Sequence, residues 1–356
     1  MKTLNFLALA VLGLGLIIGA AEKEAPKTEK TDKPKTDAKV PHVYPTMGSI
    51  ERLDPALDAL LAPDAKIEKL AGGFTWAEGP IWVSSGQYLL FSDVPRNVIF
   101  RWKEGEPTRD WITPSGYTGK TPRGGEPGSN GLTLDSQGRL VLCQHGDRQI
   151  GRREADGKTT ALARYYNYHR FNSPNDLVYR KNGDLYFTDP PYGLVGNVDD
   201  PAKELPFQGV FRLTPKGQVD LLTLDLSRPN GLAFSPDESK LYVAVSDTNA
   251  PNYWVFDVNA KGFLENSRIF FSAKHLLEGR KGLPDGMKVD IHGNLWASGP
   301  GGILIISPEG KHLGTINTGE KTANCAWGND GTMLYMTADS YLCRIKTLSK
   351  GVIPGK

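Results

Sequence analysis

Six acidic or amide side chains recur along the chain, and each stands just before an apolar run. They are Glu78, Asn130, Asn175, Asn230, Asp285 and Asn324. All six offer oxygen atoms, and neither His nor Cys stands at these places. Two carboxylates and several neutral carbonyls suit a hard divalent cation such as Ca²⁺ or Mg²⁺ better than a metal that prefers sulfur. If the fold brings these positions together, the chemistry they could support is cation binding.

The competing interpretation is structural, because Asn-Gly, Asp-Gly and Pro-Asn are common turn dipeptides. A hairpin turn would place such a pair between two strands. Here each pair precedes the first strand of its copy, and a separate turn follows that strand. The segment 181–184, Lys-Asn-Gly-Asp, is such a turn between predicted strands at 177–179 and 185–188. The position of the pairs therefore favours a site.

The same pattern of polar turn, strand, Gly turn and strand occurs in all six copies. The leading polar residues are separated by about 52, 45, 55, 55 and 39 residues. This spacing, with several short strands per copy, predicts an all-β fold, a six-bladed β-propeller. The innermost strands of a propeller line a central channel, so the turns that lead into them converge at its mouth. A short helix is predicted only at residues 55–61, with Asp54 as its cap and Pro55 at its first position.

The N-terminal part of the chain has a different composition. Residues 1–21 have a basic start, an apolar core and small residues at the end, which predicts a secretory signal peptide; an uncleaved membrane anchor is the alternative. Residues 22–44 are mostly Lys, Glu, Asp, Thr, Pro and Ala, which predicts a disordered charged linker. The propeller domain is expected at 45–356. Export predicts a periplasmic or secreted protein that is not membrane-bound after the signal is removed.

Charge and cysteine content narrow the partners and the redox chemistry. The formal net charge of +2 gives no support for nucleic acid or anionic lipid as a partner. The three cysteines include no Cys-x-x-Cys motif. Cys325 and Cys343 fall in the first and third strands of the last copy, which are not neighbours in a four-stranded meander. We therefore expect buried thiols.

Four motifs, in order, resemble those of the senescence marker protein/regucalcin, gluconolactonase and luciferin-regenerating enzyme family. They are Ala77-Glu78-Gly79-Pro80, Ser173-Pro174-Asn175-Asp176, Arg228-Pro229-Asn230-Gly231-Leu232 and Leu283-Pro284-Asp285-Gly286-Met287. The resemblance covers residues 74–345. The segments 142–148 and 188–193 are most similar to the bacterial gluconolactonase branch.

This resemblance implies a six-bladed propeller with one divalent cation at the channel mouth. Ca²⁺ is the first expectation, and Mg²⁺, Mn²⁺ and Zn²⁺ remain open. The implied ligands are Glu78, Asn175, Asn230 and Asp285, and Asp285 is also the implied general base. The implied substrate is a small sugar lactone, D-glucono-1,5-lactone or a similar compound, which is hydrolysed to the aldonic acid.

Other residues are expected on the substrate side of the site. Asn130 is assigned a direct or water-mediated substrate contact, and His145 stands at a strand end near the channel. Asn172 and Tyr192, which bound the most regular copy, are also expected to contact the substrate. The segment 113–128 is long and rich in Gly, Pro and Ser, so it is expected to shape the pocket. Asn324 is interpreted as structural.

Several functional alternatives stay open at this point. Asp285 could attack the carbonyl directly and give an acyl-enzyme, instead of activating water. The same metal site could hydrolyse organophosphates or aryl esters. A non-catalytic calcium-binding propeller is a further alternative, although a scaffold does not need the convergence of Glu78, Asn175, Asn230 and Asp285.

Overall fold

The structure is a computed structural model that describes residues 42–355. The predicted signal peptide at 1–21 and most of the predicted linker lie outside the described residues. Within 42–355 there is no α-helix, and three short 3₁₀ helices span Pro55–Ala59, Asn197–Asp199 and Lys274–Leu276. None of the helices in this range is long and apolar enough to cross a membrane.

Twenty-eight β-strands make up the described domain. Three precede the first blade: β1 (Thr46–Met47), β2 (Ser49–Arg52) and β3 (Ile67–Gly72). Blade 1 contains β4 (Ala77–Val83), β5 (Tyr88–Asp93), β6 (Val98–Trp102) and β7 (Arg109–Ile112). Blade 2 contains β8 (Ser129–Leu134), β9 (Leu140–Gln144), β10 (Gln149–Arg153) and β11 (Thr159–Ala163). A two-stranded ribbon follows, β12 (Tyr165–Tyr166) and β13 (His169–Arg170).

The remaining strands form the other four blades. Blade 3 contains β14 (Leu177–Tyr179), β15 (Leu185–Asp189), β16 (Gly209–Leu213) and β17 (Val219–Thr223). Blade 4 contains β18 (Pro229–Phe234), β19 (Lys240–Val245), β20 (Asn252–Val258) and β21 (Leu264–Ser272). Blade 5 contains β22 (Met287–Val289), β23 (Leu295–Gly299), β24 (Gly302–Ile306) and β25 (His312–Asn317). Blade 6 contains β26 (Thr322–Gly328), β27 (Met333–Ala338) and β28 (Tyr341–Lys346).

Strands from the start of the chain complete the last two blades. β3 pairs antiparallel with β28, with Ala71 opposite Leu342, and β1 extends that sheet beyond β3. β2 adds a fifth strand to blade 5, with Ser49 opposite Asn317. Blade 6 therefore combines both ends of the described domain, which closes the ring of blades. The prediction of an all-β six-bladed propeller is confirmed.

Aromatic side chains fill the spaces between neighbouring blades. Trp82 of blade 1 stacks on Tyr335 of blade 6 with ring centroids 5.4 Å apart. Trp296 of blade 5 meets Trp327 of blade 6 edge to face at 5.1 Å. All four rings are buried. Such contacts stabilise a protein beyond the area they bury, so they fix the angle between blades and hence the geometry of the channel.

Two smaller predictions are confirmed. The helix predicted at 55–61 is a 3₁₀ helix at Pro55–Ala59, two residues shorter, and the Asp54 side chain caps it by accepting a hydrogen bond of 2.8 Å from the Ala56 amide. All three cysteines are free and buried. At the N-terminal edge of the described domain, Tyr44 is buried and its ring lies 6.3 Å from that of Trp102, so the packed domain includes it.

Candidate functional site

One pocket brings together five of the six leading polar residues. Its volume is about 290 Å³, and its walls include Glu78, Asn130, Asn175, Asn230 and Asp285. These residues stand at or just before the first strand of blades 1 to 5. The pocket thus lies where the inner strands begin, as the propeller geometry predicted.

Beta-bulges set the direction of three of these side chains. In blade 1, Glu78 pairs with Ser92 but Ile81 pairs with Leu90, so the inner strand carries one extra residue. The same irregularity follows Ser129 in blade 2 and Pro229 in blade 4. A bulge breaks the alternation of a strand and can redirect a side chain. The bulge includes Asn130 in blade 2 and Asn230 in blade 4, and in blade 1 it directly follows Glu78.

The glycine that follows a site residue allows the next blade to approach closely. A Cβ atom on Gly131 would lie 2.7 Å from the Asn175 carbonyl oxygen, and one on Gly231 would lie 2.3 Å from that of Asp285. The Gly131 amide donates to the same Asn175 oxygen at 2.7 Å. These glycines therefore serve backbone contact between blades, and each contact holds a site residue of the next blade in place.

Hydroxyl groups of the second strands fix the site backbone from the other side. Ser92 Oγ donates to the Asn130 carbonyl oxygen at 2.9 Å, and Thr188 Oγ1 donates to that of Asn230 at 2.7 Å. Both hydroxyls are buried. Every such bond joins one blade to the site residue of the following blade, so the site is rigid before any ligand binds.

Some side-chain oxygen atoms of the pocket have no hydrogen-bond partner among the described residues. Asn230 Nδ2 donates to Ser246 Oγ at 2.9 Å, which leaves the side-chain oxygen Oδ1 of Asn230 for a ligand. Asp285 Oδ1 and Asn130 Oδ1 are buried and accept no hydrogen bond. A buried polar atom without a partner costs about 1–3 kcal/mol, so such atoms call for a ligand.

The carboxylates of the site are crowded. Burial raises the pKa of Asp285 well above its ordinary value, and the nearby carboxylates of Glu78 and Asp176 raise it further. Burial also raises the pKa of Glu78. The Gly79 amide opposes this effect, because it donates a hydrogen bond of 3.0 Å to Glu78 Oε2 and so lowers the pKa. Buried acids close to one another favour the protonated form unless a cation is present. The donor set therefore fits a divalent cation that prefers oxygen.

Asn324, which we expected to be structural, lies against the buried side of the site. Its Nδ2 atom is 3.5 Å from Glu78 Oε2 and 3.3 Å from Asp176 Oδ2. Its Oδ1 atom accepts the Cys325 amide at 2.9 Å, which fixes which way the amide group points. Asn324 thus supports Glu78 without lining the pocket.

The predicted substrate residues are placed differently from one another. Asn130 and Tyr192 line the pocket, whereas His145 and Asn172 do not. Asn172 Nδ2 donates to the carbonyl oxygens of Asp189 at 3.0 Å and Phe207 at 2.9 Å, so this side chain fixes a loop. His145 is fully buried behind the pocket wall.

Sequence reasoning missed several residues of the pocket rim, among them Trp76, Glu126, Arg228 and Lys321. Arg228 directly precedes the Pro229-Asn230 pair, and that adjacency was a usable signal. No sequence signal marked Lys321, because no motif surrounds it in the sequence. Among residues 42–355 no group of three or more His, Cys, Asp or Glu side chains forms a metal cluster. The predicted set contains only two carboxylates, and its other members are amides.

A six-bladed propeller with an oxygen-rich pocket at the start of its inner strands defines a class of proteins that bind small ligands at the channel mouth. The model of the SMP-30/Gluconolactonase/LRE-like region matches residues 76–340, so the chain belongs to this family. The family prediction made from the four motifs is confirmed.

Individual relatives agree with this membership. The chain is 42% identical over 314 residues to a gluconolactonase of Zymomonas mobilis, covering 86% of this chain and 88% of that protein. A solved gluconolactonase structure from Xanthomonas campestris is 32% identical, with a TM-score of 0.75, covering 87% of this chain and 99% of that one. Regucalcin of Agrobacterium tumefaciens, described as calcium-binding, has a TM-score of 0.61 at 18% identity, covering 80% of this chain and 96% of that one, so this likeness concerns the fold alone.

Proposed function

We propose that this protein hydrolyses a sugar lactone, D-glucono-1,5-lactone or a similar compound, to the aldonic acid. The assignment of this chain to the gluconolactonase-like lactone hydrolases rests on its 42% identity to the Zymomonas enzyme and its 32% identity to the Xanthomonas enzyme. The observation that carries the proposal is the convergence of Glu78, Asn175, Asn230 and Asp285 in a pocket of about 290 Å³. That volume is near the lower end of the roughly 300–1,000 Å³ typical of small-molecule sites.

We further propose that Glu78, Asn175, Asn230 and Asp285 hold one divalent cation, with Ca²⁺ first and Mg²⁺, Mn²⁺ or Zn²⁺ as alternatives. When bound, it would polarise the lactone carbonyl and stabilise the negative charge that develops on the carbonyl oxygen. The two neutral amides bind without cancelling positive charge. Asp285 Oδ1, buried and without a partner in the described chain, supports both roles given to this residue.

Asp285 would act as the general base. Its carboxylate takes a proton from a water molecule, and the water oxygen attacks the carbonyl carbon of the lactone. The bond from that carbon to the ring oxygen then breaks, and the ring oxygen takes up a proton to become a hydroxyl group. Direct attack by Asp285 is the alternative. A single turnover in ¹⁸O-labelled water that places ¹⁸O in the Asp285 side chain would show direct attack, because water activated by Asp285 leaves its oxygen in the product alone.

The pocket rim argues for a hydroxyl-rich substrate. Glu126, Arg228 and Lys321 add charged groups to its lining. Leu283 is its one aliphatic side chain, and Trp76 and Tyr192 are its aromatic ones. An aryl ester has no hydroxyl donors for the Glu126 carboxylate, which favours a sugar lactone over that alternative. The predicted signal peptide adds the proposal that the protein acts outside the cytoplasm, which cell fractionation tests.

The test is proton release from D-glucono-1,5-lactone above the spontaneous rate. Native protein is compared with chelator-treated protein, with treated protein resupplied with each cation in turn, and with an Asp285→Ala variant. We expect activity that the chelator removes, that a divalent cation restores, and that the variant lacks. A folded, cation-bound protein without activity on this lactone would refute the substrate assignment.

A further inference from the structure

A carboxylate outside the predicted ligand set, Glu126, enters the pocket from the segment 113–128. Its side chain lines the pocket and is 35% exposed. Behind it, His145 Nδ1 lies 3.4 Å from Glu126 Oε2, and the imidazole is fully buried. Neither ring nitrogen of His145 has a hydrogen-bond partner among the described residues. Glu126 is therefore the polar group that His145 faces.

His145 is held firmly in this position. Its backbone amide donates to the Gly128 carbonyl oxygen at 3.2 Å. A Cβ atom on Gly193 would lie 2.5 Å from the His145 Cβ, so the chain passes directly against this residue. These contacts fix the backbone of His145 and the start of its side chain.

The segment that carries Glu126 is also anchored. Asn97 Oδ1 accepts the backbone amides of Gly116 at 2.7 Å and Tyr117 at 3.1 Å, at the start of the segment. Arg123 donates to the carbonyl oxygens of Gly146, at 3.2 Å, and Gly193. A long segment that is anchored at its start and again at Arg123 presents Glu126 in one place, which is what substrate recognition requires.

We propose that Glu126, oriented by His145, accepts hydrogen bonds from substrate hydroxyl groups and makes the pocket selective for polyhydroxylated lactones over lactones without hydroxyls. An ionised carboxylate only accepts hydrogen bonds, and hydroxyl groups are the donors that a sugar lactone offers. Glu126 Oε2 faces His145, so the rest of the carboxylate is available to the pocket. Glu126 is a specificity-determining residue and His145 a positioning residue. This inference rests on the proposed lactone hydrolysis.

The experiment measures kcat and KM for D-glucono-1,5-lactone and for δ-valerolactone, which has the same ring without hydroxyls. Glu126→Gln should lower kcat/KM about tenfold to a hundredfold for the sugar lactone, since hydrogen bonds to a charged group are worth about 1.5–3 kcal/mol. It should change δ-valerolactone hydrolysis less than about twofold. His145→Gln should lower the same sugar-lactone value, mainly through KM. The matched controls are Glu265→Gln and His169→Gln, two exposed residues outside the pocket, which should leave both substrates unchanged.

A double variant isolates the positioning role. If His145 acts through Glu126, the Glu126→Gln/His145→Gln protein should be no worse on the sugar lactone than Glu126→Gln alone. Additive losses, or equal losses on both lactones, would overturn the proposal. Circular dichroism checks folding, and Glu126→Gln carries the test by itself if His145→Gln does not fold.

A binding assay separates this proposal from the proposed hydrolysis. D-gluconolactam and 2-piperidone are non-hydrolysable counterparts of the two lactones, and calorimetry measures their binding without turnover. Wild-type protein should bind the hydroxylated lactam more tightly, and Glu126→Gln should remove that preference. Loss of the preference in a protein without lactonase activity would support the recognition role while refuting the reaction. An unchanged preference in Glu126→Gln would refute the recognition role.

Discussion

The inner strand β8 of blade 2 carries similar residues at its two ends. It begins at the pocket with Asn130 and Gly131, and it ends at a hairpin that contains Asp135 and Gly138. At the hairpin end, Asp135 Oδ1 accepts the backbone amides of Gln137 and Arg139, both at 2.9 Å. At the pocket end, Asn130 Oδ1 is buried and accepts nothing in the described chain.

The glycines differ in the same way. Gly138 has φ +74° and open space where a Cβ would stand, so it serves the left-handed conformation of the turn. Gly131 is not at positive φ and is instead in contact with the next blade. One residue pattern therefore serves turn chemistry at one end and site assembly at the other. The unsatisfied oxygen atoms distinguish the two ends.

The largest expected effect on activity distinguishes Asp285 from Asp290, the two aspartates on either side of the inner strand of blade 5. Asp285→Asn should lower kcat/KM for D-glucono-1,5-lactone about 10³-fold, as loss of a general base that also binds the cation requires. Chelated Asp285→Asn should unfold at the same temperature as wild type or higher, because a crowded buried carboxylate is removed.

The matched variant is Asp290→Asn at the hairpin of blade 5. Asp290 accepts the Asn294 amide at 2.9 Å and Trp296 Nε1 at 3.1 Å, so its loss should cost about 2–4 kcal/mol of stability. Activity per folded molecule should persist. Kinetics and denaturant unfolding check both variants, and an active Asp285→Asn protein would contradict the assignment.

Substituting glycines sharpens the comparison further. Gly231→Ala places a Cβ 2.3 Å from the Asp285 carbonyl oxygen, so blades 4 and 5 must separate. We expect a stability loss of about 2–4 kcal/mol, together with reduced activity. Gly138→Ala meets no atom within 4 Å and should cost only about 1–2 kcal/mol for its left-handed backbone, with full activity. Equal effects of the two variants on activity would show that the glycine contact does not position Asp285.

Truncating the polar side chains should give opposite outcomes at the two ends. Asn130→Ala removes a buried oxygen whose lack of a partner costs about 1–3 kcal/mol, so stability should not fall, while activity falls about tenfold. Asp135→Ala removes an acceptor of two amides and should cost about 1–2 kcal/mol without loss of activity. Thermal unfolding and initial rates on the same preparations decide between these outcomes.

The smallest effect concerns pH at another hairpin. Hydrogen bonds from Ser235 and Ser239 lower the pKa of Asp237 from 3.8 to about 2. A group whose pKa is lower in the folded state stabilises the fold above its unfolded pKa, and that stabilisation is lost as the pH falls toward the folded value. The stability difference between wild type and Asp237→Asn should thus be largest above about pH 4 and shrink below it. It should stay under about 1 kcal/mol, because the side chain is exposed. Unfolding in denaturant from pH 6 to pH 3 measures it, and a difference that grows on acidification would contradict this reasoning.

Much of this architecture could be predicted from the sequence, because the repeat fixes both the number of blades and the location of their inner turns. The positions of Glu78, Asn175, Asn230 and Asp285 followed from that repeat. The role of the glycines did not, because a glycine in contact with the next blade looks the same in sequence as a glycine in a turn.

Three residues whose placement relative to the pocket was not predicted depend on contacts outside the repeat. Glu126 lies in a long segment whose path no sequence periodicity specifies. Asn172 is polar, as a substrate-binding residue would be, but its side-chain amide donates to backbone carbonyl oxygens. His145 was expected to contact the substrate, and it lies behind Glu126 instead of lining the pocket. Such differences are set by tertiary contacts between blades, which a local pattern does not contain.

The most direct test of the central claim is whether a cation stabilises the protein through the pocket-end oxygens. Thermal unfolding is followed for chelated wild type, Asp285→Asn and Asp135→Asn, with and without added Ca²⁺, Mg²⁺, Mn²⁺ or Zn²⁺. At a concentration about 100 times Kd, binding should add about 2.7 kcal/mol to wild type and to Asp135→Asn, and raise their Tm. Asp285→Asn should show little or no rise. An unchanged wild-type Tm with every cation, or an equal rise in Asp285→Asn, would contradict the account.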